Sequence, residues 1–155
     1  MTGKIFELRE ERLPKEDWIN ESDFYEVDNK FFDWVETAND EARAEFLIEL
    51  KNALPASMFK MEGDEITVIS DGKEVVEEWI EKIKRMANEL TYQSVTTFPT
   101  LNQLRYKLKG MVHEDFKFQT DYADYAHDST EFVKDCIANY QGKKLYVCGI
   151  VIYHF

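Results

Sequence analysis

Residues 144–153, KLYVCGIVIY, form an almost unbroken β-favouring run near the end of a chain of 155 residues. Both alternating sets of that run are apolar, which predicts a strand covered on two faces at the centre of a sheet. The rest of the chain must then supply strands to flank it and helices to cover it.

Lys4 to Leu8 is the first flanking candidate, with Ile5, Phe6 and Leu8 as its apolar members. Met58–Met61 and Ile66–Ile69 surround Glu62-Gly63-Asp64, a short glycine-bearing link that predicts a β-hairpin. Val112–Gln119, with Phe116 and Phe118 alternating, predicts another strand. Between Arg9 and Asp23 the chain is polar, contains Pro14, and reads as an excursion over the surface.

Helix starts are marked by capping residues. Asn39, followed by Asp40 and Glu41, opens a helix whose Phe46, Leu47, Leu50 and Leu54 share one face, and Pro55 stops it. Asp71 with Glu74 reads as a capping box for a helix with a wide apolar stripe through Val75, Val76, Trp79, Ile80, Ile83, Met86, Ala87 and Leu90. Thr100 with Gln103 starts a shorter helix that Gly110 closes. Asp128 with Glu131 starts a last one bearing Phe132, Val133, Cys136, Ile137 and Tyr140, ended at Gln141-Gly142. Phe24–Val35 is apolar without a clean period, and a short helix is predicted over Asn29–Thr37.

Helices and strands mix without regular βαβ alternation. The class this defines is α+β: a mostly antiparallel sheet with about four or five helices packed on one face, as a single globular domain over residues 1–155. At 44% hydrophobic and 14% aromatic the chain has the apolar mass for a core.

Charge is the second constraint. Residues 16–49 hold twelve carboxylates against Lys30 and Arg43, which is −10 of a whole-chain charge of −12. Such a field repels nucleic acid and acidic membranes and attracts basic surfaces. Residues 82–109, with Lys82, Lys84, Arg85, Arg105, Lys107 and Lys109 against Glu89, are locally +5.

Rings are threaded through the acidic segment. Glu16, Asp17, Glu21, Asp23, Glu26, Asp28, Asp33 and Glu36 are the candidate steering charges, and Trp18, Tyr25 and Trp34 the candidate anchors. The expectation is an acidic interaction module, an inhibitor or adaptor occupying the basic surface of a partner such as a nucleic-acid-binding enzyme. Rows of carboxylates on a compact body would imitate duplex DNA, which carries one charge per roughly 1.7 Å of axis. The bland alternative is a solvated, solubilising face.

The other chemically dense stretch is Asp121-Tyr122-Ala123-Asp124-Tyr125-Ala126-His127-Asp128. Asp121, Asp124, His127 and Asp128 offer oxygen and imidazole donors suited to Mg²⁺, Mn²⁺ or Zn²⁺, so a small metal-dependent hydrolase is the alternative in another class. No recognised ligand spacing is matched, and Asp128 already serves as a cap, so neither a metal nor another cofactor is assigned. His113 and His154 are expected to be packing or edge residues. Phosphate-binding glycine loops, nucleophile elbows and paired C-x-x-C motifs are missing.

Cys136 and Cys148 fall at apolar positions and read as buried hydrophobes rather than nucleophiles or a disulfide framework. With no membrane-length apolar run and no signal-peptide-like opening, the expected location is the cytoplasm. A third reading is a self-associating scaffold or homodimer, in which residues 16–49 of one copy dock on residues 82–109 of another.

Overall fold

The structure, a computed structural model, describes residues 2–25, 33–97 and 100–154, with the backbone alone of Tyr25 and Thr100. Among these residues seven strands, β1 (Thr2–Arg9), β2 (Trp34–Thr37), β3 (Phe59–Glu62), β4 (Glu65–Val68), β5 (Phe116–Gln119), β6 (His127–Asp128) and β7 (Lys144–His154), form one sheet. Its order is β3-β4-β7-β1-β5-β6, with β2 also on β7. Among the described residues the β1–β5 pair alone is parallel.

The apolar run of β7 is explained by its position. One of its edges pairs with β1 along most of its length, and the other takes β4 at Lys144–Tyr146 and β2 at Val151–His154. Its two faces are covered by different layers. Leu145, Val147 and Ile150 belong to the larger core, and Val151 and Tyr153 to a smaller one on the opposite face.

Among the described residues there are six α-helices, slightly more than expected: α1 (Ser22–Tyr25), α2 (Asp40–Ala53), α3 (Lys73–Asn88), α4 (Tyr92–Thr96), α5 (Thr100–Lys109) and α6 (Ser129–Asn139). Phe46, Leu47, Leu50 and Leu54 from α2 and its end, and Phe132, Val133 and Cys136 from α6, pack with Phe6, Leu8, Phe116 and Phe118 in the larger core. The opposite face is covered by the chain between β1 and β2. Ile19 is buried there with Ile5, Val35, Val151 and Tyr153, and Phe24 packs against them.

Capping chemistry places several elements as expected. Asn39 Oδ1 accepts from the Ala42 amide at 2.9 Å, and Asp128 Oδ1 accepts from Thr130 and Glu131 at 3.1 and 3.0 Å. The Gly63-Asp64 turn joins β3 to β4, with Gly63 at φ 61°. The predicted start of α3 is displaced. Gly72, at φ 73°, occupies the cap position, while Asp71 accepts from the Lys73 amide at 3.0 Å, so the Asp71–Glu74 box does not form. A glycine in the left-handed region ends the preceding turn at no steric cost, and that takes precedence over the carboxylate cap.

Two further expectations are corrected. The helix predicted over Asn29–Thr37 is, in its described part, the strand β2: Trp34, Val35, Glu36 and Thr37 pair with residues 154 to 151. Long-range pairing with an exceptionally apolar strand overrides the weak local pattern. Residues 29–32 of that expectation, like Glu26 and Asp28, lie outside the described residues. In Val112–Gln119 only Phe116–Gln119 is strand, because the Ser129 hydroxyl gathers the amides of Val112 and His113 at 3.2 Å into a turn.

Candidate functional site

The acidic residues are carried by the excursion between β1 and β2 and by the start of α2. Two contacts gather them. Lys15, in a 3-10 turn at Lys15–Asp17, reaches Asp40 Oδ1 at 2.6 Å and sets Glu16 and Asp17 beside the α2 N-terminus. Glu21 and Thr37 clasp one another: the Glu21 amide donates to Thr37 Oγ1 at 3.0 Å, and the Thr37 amide and hydroxyl donate to Glu21 Oε2, the amide at 2.8 Å. The second contact pins α1 to the end of β2.

Most of the predicted steering charges stand in solvent. Glu16, Asp17 and Glu36 are exposed and without an ion-pair partner among the described residues. Asp23 is exposed and accepts from the Asn20 amide at 2.8 Å. Asp33 lies 3.1 Å from His154 Nδ1 with its side chain 72% exposed. Glu21 is half-buried in its clasp, and its carboxyl is held below the ordinary range by the Thr37 hydroxyl first and the Thr37 amide second. Glu26, Asp28 and the Tyr25 side chain lie outside the described residues.

The two described anchors differ. Trp34 is 43% exposed, with its ring stacked on His154 at 6.2 Å. Trp18 is packed: its Nε1–H donates to the Leu13 carbonyl at 3.0 Å, and the Arg43 guanidinium lies 4.6 Å from its ring centre. Arg43 also donates to the carbonyls of Val147 and Cys148 at 2.5 and 3.1 Å. This base is therefore committed to holding α2 on the sheet, half-buried, rather than lying among the acids of the surface. A depression of about 120 Å³, lined by Lys15, Trp18, Asn20, Thr37 and Arg43 among others, separates the 3-10 turn from α2. That is below the roughly 300–1,000 Å³ of small-molecule sites.

A buried carboxylate missed by sequence reading holds this surface in place. Glu7 is 1% exposed, on the face of β1 opposite the helices. Its Oε1 accepts from Arg9 Nε and Nη2 at 3.1 and 3.0 Å, and its Oε2 from the amides of Ile19 and Gly149 at 2.9 and 3.0 Å. The register shifts here: Phe6 pairs with Ile150 but Leu8 with Val147, so Glu7 faces both Cys148 and Gly149. Such a bulge frees one amide from the ladder, and the carboxylate takes it. A Cβ on Gly149 would lie 2.6 Å from the Ile19 carbonyl, so glycine lets the excursion lie directly on β7. The sequence signal was a glutamate inside the Ile5–Leu8 apolar run, two residues before an arginine.

In the 121–128 stretch the acids take separate partners. Asp121 accepts from Arg9 Nη1 at 3.3 Å and the Glu10 amide at 3.0 Å, Asp128 caps α6, and Asp124 is exposed. His127 Nδ1 lies 3.8 Å from Asp135 Oδ2. Among the described residues no three His, Cys, Asp or Glu side chains converge on a point where an ion would sit. Cys136 and Cys148 are buried, and desolvation pushes both thiols above their ordinary value, which opposes thiolate formation. Among the described residues no helix is long and apolar enough to cross a membrane.

No protein-family model, no curated protein and no solved structure matches this chain.

Proposed function

We propose that this chain is a binding protein whose acidic surface, built by the 3-10 turn, α1, β2 and the start of α2, occupies a basic surface of a partner protein. The supporting observation is the exposure of Glu16, Asp17 and Glu36 without counter-ions among the described residues, together with the exposed ring of Trp34, two residues from Glu36 on β2. Carboxylates of one sign raise the encounter rate with a Lys/Arg surface, and a half-exposed tryptophan supplies short-range affinity once docked. A nucleic-acid-binding enzyme is the class of partner whose groove such a surface fits, with the protein acting in the cytoplasm as inhibitor or adaptor by imitating the charge of nucleic acid.

The test is capture of partners from a host lysate on the immobilised protein, eluted with a salt gradient, beside a variant carrying Glu16→Lys, Asp17→Lys, Asp33→Lys and Glu36→Lys. The expected result is a nucleic-acid-binding protein released from the wild type at moderate salt and absent from the variant, whose melting temperature stays within a few degrees. Equal capture by a folded variant overturns the reading.

A further inference from the structure

β3 lies at one end of the sheet order, and no strand among the described residues pairs with its outer side. The hydrogen bonds around the β3–β4 hairpin fix which residues face that side. The Ile69 amide donates to the Met58 carbonyl at 2.8 Å, while the Val68 amide donates away from β3, to the Lys143 carbonyl at 3.0 Å. Bonding direction alternates along an antiparallel pair. Met58, Lys60 and Glu62 therefore bond inward to β4, and Phe59 and Met61 direct their backbone groups outward. The Phe59 amide is taken by the Pro55 carbonyl at 2.9 Å. The amide and carbonyl of Met61 have no hydrogen-bond partner among the described residues. Open groups of this kind on an edge are a template for another strand.

The side chains sort onto two faces. Phe59 and Met61 are buried in the larger core, and Lys60 and Glu62 stand on the other face, with side chains 65 and 69% exposed. Within one chain these two lie 2.9 Å apart. On the same face Glu65 of β4 pairs with Lys144 of β7 at 2.8 Å. Two acids and two bases thus cancel beside this edge, on a chain whose net charge is −12.

We propose that β3 is a homodimer contact, in which a second copy of this chain adds its own β3 antiparallel about a two-fold axis at Met61. The register follows from the charges. Met61 and the partner's Met61 exchange N–H···O bonds in both directions, as a hydrogen-bonded pair. Lys60 then faces the partner's Glu62, and Glu62 the partner's Lys60, at the closely spaced positions of the ladder. Moving the axis by one residue sets Lys60 against the partner's Lys60, or Glu62 against the partner's Glu62. Like charges directly opposite are unfavourable, and the first of these registers also calls on the Phe59 amide, which is occupied. A two-fold contact closes on itself and stops at a dimer. It makes no use of residues 16–49 or 82–109.

Charge exchange tests contact and register together, by sedimentation velocity at concentrations up to roughly 1 mM, the range of weak association. Lys60→Glu and Glu62→Lys each place like charges opposite, and each should weaken the dimer about tenfold. Glu62→Lys takes the net charge from −12 to −10, which eases repulsion between copies, so a weaker dimer there reads the local pairing. An equimolar mixture of the two variants restores both opposite-charge pairs and should associate as the wild type does. Both positions are exposed, and circular dichroism checks that the fold is kept. Amide exchange reads the backbone: protection of Met61 should rise with wild-type concentration. A wild type that stays monomeric, constant protection at Met61, single variants that dimerise as well as the wild type, or a mixture no better than its components overturns the proposal. Capture of a basic partner by the acidic surface does not involve β3, so the two readings fail separately.

Discussion

Gly3 and Tyr153 are cross-strand partners in β1 and β7, and the tyrosine ring lies over the glycine so closely that a Cβ there would sit 2.3 Å from Cζ and from the phenolic oxygen. The phenol reaches past Gly3 to donate to the Asp115 carbonyl at 3.1 Å, at the turn leading into β5. One ring thus joins β7, β1 and the approach to β5 where the smaller core ends.

Gly3→Ala should therefore destabilise the protein by roughly 1–3 kcal/mol, the usual range for overpacking. In a chain of this length each kcal/mol corresponds to about 2–4 °C in melting temperature. Calorimetry should show a clear fall for Gly3→Ala and a smaller one for Tyr153→Phe, which keeps the ring and loses the bond to Asp115. An unchanged melting temperature for Gly3→Ala would mean that the ring does not lie over this strand.

Glu7→Gln replaces an acceptor-only group with one that must turn an NH₂ toward donors. Four N–H groups converge on the carboxylate, so at least one is left unsatisfied and the charge partner of Arg9 is lost. A loss of about 3 kcal/mol is expected from breaking such a buried pair, measurable by urea unfolding. Faster amide exchange at Ile19 and Gly149 should accompany it, because the excursion bearing Glu16, Asp17 and Glu21 is seated there. Wild-type protection at those two amides would separate the acidic surface from Glu7.

The clasp between Glu21 and Thr37 has a pH signature. Its donors hold the Glu21 carboxyl below the ordinary value of 4.5. The stability it contributes is present in full above that pH and is lost as pH falls through the lowered folded value. Thr37→Val removes the hydroxyl, so Glu21 should titrate closer to 4.5, and the acid end of the stability curve should move to higher pH. Carboxyl-detected NMR titration of both proteins reads this directly. Coincident Glu21 curves would show that the clasp does not form in solution.

What was legible in the chain was local. Asn39, Pro55, Gly63 and Asp128 act on their own neighbours, so α2, the β3–β4 hairpin and α6 follow from a few residues each. The two-sided apolarity of residues 144–153 likewise announced a central strand. Features that depend on distant partners were hidden. The strand identity of Trp34–Thr37 comes from residues 151–154, and the register shift at Glu7 from Gly149. For the acidic surface, composition revealed the charge but not which rings accompany it into solvent. Trp18 and Trp34 look alike in sequence; Arg43 and Leu13 claim the first, while the second stacks on His154 in the open.

The position of β7 also orders events during synthesis. β1 has no antiparallel neighbour, and β2 and β4 have no link to the rest of the sheet, until residues 144–154 have left the ribosome. At roughly 5–20 residues per second, that interval is on the order of ten seconds. Throughout it Ile5, Phe6, Leu8 and Val35 belong to strands with open edges, the condition under which chains pair with the wrong neighbour. The dense acidic charge of residues 16–49 follows β1 and flanks β2 on both sides, and it sets nascent copies against one another. A surface read above as a means of binding would then serve earlier in the molecule's life as protection while the sheet waits for its centre.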